Sequence, residues 1–201
     1  MGLFLRAISY ISHPLFIPLA GTIAYFIITP KYSPLELQSG NILPIFILTI
    51  IIPIVSYLIL RNIGVVRSIF MPSIKERRYP LLIHIGLLLM IVYEVIPNNF
   101  VMEIHYYFLG LTVAAIAALF TLLFKVKCSL HLMGLGSLFM FLTALSIHFE
   151  INITLALSIL TVFIGLVASS RLYLKAHSKA ELVIGFCIGF ISQLLLVRFW
   201  L

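Results

Sequence analysis

Charge is what this chain has least of. Lys, Arg, Asp and Glu make up 9% of its 201 residues, aspartate is absent, and the acidic total is six glutamates. Soluble domains carry about 25% charged residues. That scarcity, together with 63% hydrophobic residues and a mean hydropathy of +1.22, excludes an ordinary soluble core. Cysteine is scarce too: Cys128 and Cys187 are expected near a membrane face and within the last helix, too far apart to form a disulfide. No low-complexity run, strong internal repeat or soluble domain interrupts the sequence. The start "MGLFLRAISYISHPLF" has one positive charge and no convincing cleavage site, so it reads as an uncleaved first helix, and Arg6 stands where myristoylation favours Ser or Thr.

What is present is long apolar runs. Seven windows, roughly 8–29, 42–60, 80–97, 104–124, 129–147, 152–169 and 181–199, each approach the ~20 residues that a helix needs to cross ~30 Å of hydrocarbon. They are apolar on every face, which a barrel strand is not, and only a helix satisfies its backbone hydrogen bonds internally in lipid. The expected fold is all-α, a polytopic membrane bundle of six to seven transmembrane helices. "TPKYSP", "IPNN" and "HFEIN" mark tight turns between antiparallel neighbours. In the longer segment "RNIGVVRSIFMPSIKERRYP", Pro72 and Pro80 bracket a charged cluster ahead of a helix expected to begin at Pro80.

Seven crossings put the N-terminus and the segments 61–79, 125–128 and 170–180 on one face. That face takes eleven of the thirteen basic residues, leaving only Lys31 and Arg198 for the other, where Glu36, Glu103 and Glu150 fall. The positive-inside rule makes the basic face cytoplasmic, and an inner bacterial membrane is the expected residence.

Three polar clusters meet that face: "KERRYP" (75–80), "KVKCSLH" (125–131) and "SSRLYLKAHSKAE" (169–181). Ionisable groups at a membrane interface are candidate functional residues. On a helix over 172–184, His177 and Glu181 would stack four apart, the carboxylate taking one imidazole N–H and leaving the other nitrogen a free base or nucleophile. Arg171 supplies a donor fork suited to phosphate oxygens. Ser129, beside helix-start amides, favours an oxyanion, Lys127 lies two residues earlier, and His131 could protonate a leaving oxygen. Lys75, Arg77 and Arg78 could neutralise remaining phosphate charge.

In these residues the sequence resembles the type 2 phosphatidic acid phosphatase superfamily, whose motifs are Lys-x6-Arg-Pro, Pro-Ser-Gly-His and Ser-Arg-x5-His-x3-Asp. Ser170, Arg171, His177 and Glu181 match the third, with glutamate for aspartate. Ser129 and His131 match the second in part, Cys128 and Leu130 replacing the proline and glycine. The first survives only as a compressed form, Pro80 preceded by Tyr79, with Lys75 and Arg77 or Arg78 upstream. The resemblance implies a single membrane phosphatase domain over 1–201 that needs no metal or other cofactor. His177 would attack phosphorus with Glu181 orienting it, and His131 would protonate the leaving group and later activate water. Ser129, Ser170, Arg171, Lys127 and the Lys75, Arg77 and Arg78 region would hold phosphate. The implied substrate is a lipid phosphate or isoprenoid diphosphate, met among membrane lipids rather than nucleic acid. The alternative is a catalytically silent relative that binds anionic headgroups or partner helices.

His13 and His84 fall about a turn inside the basic face, where a polar packing contact is favoured over a place on the pocket wall. His105 and His148, on the other side, are assigned no chemistry. Gly185 and Gly189, four apart, permit close helix packing and are compatible with dimerisation, although the oligomeric state stays open.

Overall fold

A computed structural model describes residues 2–68, 73–97 and 101–201. Seven helices are long and apolar enough to cross a membrane: α1 (Gly2–Ile28), α2 (Leu35–Asn62), α3 (Ile74–Val95), α4 (Met102–Leu123), α5 (Leu130–His148), α6 (Thr154–Tyr173) and α7 (Lys179–Val197). Among the described residues there is no strand. The chain is an all-α integral membrane protein with one span for each apolar window. Pro72 and the Asn98–Asn99 turn lie outside the described residues.

Helix α5 is the central element, buried along most of its length and packed against α7, α6, α4 and the second half of α1. Small residues allow this. A Cβ on Gly185 or Gly189 would collide with the backbone of Ser129 or Met133, and one on Gly136 would stand 2.5 Å from the Phe186 carbonyl. The Gly185–Gly189 face is therefore occupied by α5 of the same chain, which leaves it unavailable for the dimerisation weighed from sequence.

Two spans differ locally from the expected course. Helix α1 is broken: Gly2–Ile11 is followed by a 3-10 turn at Pro14–Phe16, and α-helix resumes over Ile17–Ile28. Pro14 lacks an N–H and holds His13 extended, at φ −57° and ψ 135°. Helix α3 begins at Ile74 rather than Pro80. Ser73 caps it by accepting the Glu76 N–H at 3.3 Å, and Pro80 sits inside the helix. The charged cluster 75–79 is thus helical, which turns Arg77 inward and leaves Lys75 and Arg78 exposed.

At the opposite membrane face the buried Glu103 gathers its own partners. It accepts from Tyr25 Oη at 3.1 Å, pairs with Lys31 and lies 3.8 Å from His148 Nε2. This ties α1, α4 and α5 together at the end remote from the three clusters. Replacing Gly189 by Leu is expected to separate α5 from α7 at a cost of about 3 kcal/mol, read as a fall in thermal stability in detergent. Gly165→Leu, where an added Cβ would meet nothing within 4 Å, should be tolerated; equal losses in both variants would contradict the packing.

Candidate active site

The three polar clusters are joined by hydrogen bonds. Arg77 Nη1, on the first turns of α3, donates to the Cys128 carbonyl at 3.1 Å. The N–H of Ser129, at the start of α5, donates to the Glu181 carbonyl of α7 at 3.0 Å. The third cluster reaches α1: Ser170 Oγ donates to the Leu5 carbonyl at 2.6 Å, and Arg171 Nη1 donates to Ser9 Oγ at 2.5 Å. Five spans, α1, α3, α5, α6 and α7, take part in these bonds at the basic face.

His177 lies in the connection between α6 and α7, not on a helix. Helix α6 stops at Tyr173, Lys175 takes a left-handed φ of 50°, and α7 starts at Lys179. The expected helix over 172–184 is therefore interrupted, yet His177 and Glu181 still meet. Ser178 caps α7 and accepts the Glu181 N–H, and the Glu181 carboxylate returns to accept the Ser178 N–H at 3.0 Å. That fold-back puts Glu181 Oε2 at 3.0 Å from His177 Nδ1. With Nδ1 donating to the carboxylate, Nε2 keeps its lone pair.

His131 has the opposite tautomer. Its Nε2 lies 3.2 Å from the Ser9 carbonyl, which can only accept, so the neutral ring carries its proton there and Nδ1 is the free base. The break in α1 makes this carbonyl available: the His13 N–H that would cap it in a regular helix bonds Tyr10 O at 3.2 Å instead. Ser9 thus fixes His131 through its main chain and Arg171 through its side chain. Sequence reasoning missed Ser9; the one local signal was a polar "SYISHP" stretch ending in proline inside an apolar span.

A cavity of about 430 Å³ opens between these elements, and Arg77, Arg171, His131 and His177 line it. His13 and His84 line it too, placing them on the wall where packing contacts had been favoured. Its other walls are mainly apolar, with Pro53, Ile54 and Leu58 from α2 and Leu81 and Ile83 from α3, although Ser56 and Tyr57 of α2 also line it. Of the remaining candidates, Ser129 and Ser170 are fully buried and do not line it; their hydroxyls cap α5 and hold α1. Glu181 stands behind His177. Lys75 and Arg78 are exposed and Lys127 is half-buried, and none of the three lines the cavity. Among the described residues, no three His, Cys, Asp or Glu side chains group as metal ligands.

The electrostatics of this wall are one-sided. Arg77 is 9% exposed and Arg171 3%, and no described lining residue is a carboxylate. Arg171 Nε is buried without a hydrogen-bond partner among the described residues. Burial, and next the like charge of Arg77, lower the Lys127 ammonium below its usual range. Burial also lowers the His177 imidazole to about 4; Arg77 adds to this, and the Glu181 hydrogen bond opposes it. His177 is therefore neutral at pH 7, and protonation, with loss of the Nε2 lone pair, belongs to the window below its ordinary 6.5. A ¹⁵N-histidine titration of the free protein should find His177 still neutral at pH 6. A midpoint at or above 6.5 would contradict this environment.

The geometry offers two bases with fixed and different free nitrogens beside two buried guanidinium groups. Comparison with known proteins returned no match: no family model fits the chain, and no curated protein or solved structure is significantly similar to it.

Proposed function

We propose that the chain is a membrane phosphatase acting on a lipid phosphate or isoprenoid diphosphate at the membrane interface. The observation that carries this reading is the cavity itself, which sets His131 and His177 on the same wall as two buried arginines with no carboxylate among its described lining residues. Arg171 Nε, buried beside the cavity without a hydrogen-bond partner among the described residues, is a donor that an anionic ligand can satisfy. Phosphate oxygens suit a guanidinium fork.

In this mechanism Arg77 and Arg171 hold the phosphoryl oxygens. His177 Nε2 attacks phosphorus; an N–P bond forms as the bond from phosphorus to the leaving oxygen breaks. Glu181 keeps Nδ1 protonated and stabilises the charge that develops on the ring. His131, neutral in the free site, takes a proton at Nδ1 from the incoming phosphate monoanion and passes it to the leaving oxygen, and its freed Nδ1 then takes one from water. That water attacks phosphorus, the N–P bond breaks, and inorganic phosphate and a neutral His177 remain. Stabilisation of the phosphoryl charge by preset donors is the largest expected contribution.

The substrate tail enters from the side. Ile54 and Leu58 line the cavity and are also 45% and 53% exposed on the outer surface of α2, toward lipid. A hydrocarbon chain between α2 and its neighbours keeps its contact with the bilayer while the headgroup reaches the arginines. By charge distribution the site faces the cytoplasm, in an inner bacterial membrane.

Purified protein should release phosphate from a lipid phosphate, and His177→Ala should abolish release. His131→Ala should slow it by about 10²- to 10⁴-fold. Brief incubation with ³²P-labelled substrate should leave label on wild type and none on His177→Ala. Unchanged turnover in both variants removes the mechanism. Headgroup binding with neither turnover nor covalent label would favour a catalytically silent lipid-binding protein.

A further inference from the structure

Hydroxyls within the spans of this protein commonly turn back on their own helix. Thr22, Thr49, Thr112 and Thr143 each donate to the carbonyl four residues earlier, at 2.8 to 2.9 Å, which satisfies a hydroxyl without water. Ser9 departs from this pattern. The carbonyl four residues before it, that of Leu5, takes the Ser170 hydroxyl at 2.6 Å, and Ser9 Oγ accepts from Arg171 Nη1. A guanidinium can only donate, so Ser9 Oγ is the acceptor in that bond and its own proton is left over. Among the described residues no acceptor reaches that O–H.

The cavity is where an acceptor can come from. Ser9 is 4% exposed and lines it. A buried hydroxyl without an acceptor is costly, and a ligand oxygen removes the cost. Its partner Arg171 carries a second unpaired donor, the buried Nε, so the two joined side chains together suit a ligand with several acceptor oxygens. Accepting from a cation also polarises the Ser9 O–H and makes it a stronger donor. Ser129, the serine that motif spacing singles out, is not available for this: its Oγ caps α5, accepting the Leu132 N–H at 3.5 Å, and it does not line the cavity.

Resting on the phosphatase reading above, we infer that Ser9 is a catalytic residue whose hydroxyl donates to a phosphoryl oxygen, in the place that motif spacing gives to Ser129. The Ser9 carbonyl meanwhile holds His131 Nε2 at 3.2 Å. One residue of the broken helix α1 therefore sets the phosphoryl group and the proton carrier in register.

The test measures inorganic phosphate binding to the purified full-length protein by calorimetry. Ser9→Ala, which keeps the carbonyl for His131, should weaken binding about 10- to 100-fold, the effect of one hydrogen bond to a charged group, and Ser9→Thr should recover part of it. Ser12→Ala removes an equally buried hydroxyl that does not line the cavity and should change binding less than twofold. In an Arg171→Gln background Ser9→Ala should still weaken binding; no further loss there would mean that Ser9 acts only by placing Arg171, and overturns the inference. So does equal weakening by Ser9→Ala and Ser12→Ala. A structure of the wild type with phosphate should show Ser9 Oγ within hydrogen-bond distance of a phosphate oxygen, and phosphate in the cavity beyond its reach overturns the inference even where the variants fail to fold. A wild type that neither binds phosphate nor hydrolyses a lipid phosphate overturns the phosphatase reading and this inference with it, whereas hydrolysis undiminished by Ser9→Ala overturns the inference alone.

Discussion

Two guanidinium groups buried against one membrane-embedded cavity, with no carboxylate on its described wall, set the terms for the basic end of this bundle. Removing a charge from water is expensive unless the protein or a ligand compensates it. The other end of the molecule meets the same problem by internal pairing, since Glu103 has Lys31, Tyr25 and His148 around it. At the basic end Arg77 leans on a carbonyl and Arg171 on a hydroxyl. Arg171 Nε keeps no hydrogen-bond partner among the described residues, and that buried donor beside the cavity is the physical ground for proposing an anionic substrate at this end.

The rest of the site follows from how that wall is held. Glycines bring α7 against α5, so the Ser129 N–H can reach the Glu181 carbonyl. The capping box of α7 folds Glu181 back onto His177. Pro14 breaks α1, and the break frees the Ser9 carbonyl for His131. A helix cap and a helix break therefore set the two imidazoles in opposite tautomers. Opposite free nitrogens are what a nucleophile and a separate proton carrier would need.

The large features were legible because they are local or additive. Seven apolar runs gave the seven spans, and charge asymmetry and span parity placed the three clusters on one face. His177 and Glu181 were legible as a pair from spacing alone, although the chain joins them through a cap and not along a helix. The start of α3 had its own signal in Ser73 and Glu76, the S-x-x-E spacing of a capped helix, which the more conspicuous Pro80 overshadowed. Ser9 was not legible as a wall residue, and for His13 and His84 a place on the wall was weighed but not favoured. Their place depends on which spans abut, and apolar periodicity carries no information on that when every face is apolar. The serines show the converse limit, since motif spacing singled out Ser129 and Ser170 without revealing that their hydroxyls cap α5 and anchor α1.

The most direct measurement is an experimental structure of the protein with orthovanadate, which resembles a phosphoryl group in transfer. The account predicts vanadium bonded to His177 Nε2, its oxygens held by Arg77 and Arg171, and His131 Nδ1 facing the apical oxygen. Vanadate bound outside the cavity, or within it but remote from His177 and both arginines, would contradict the account.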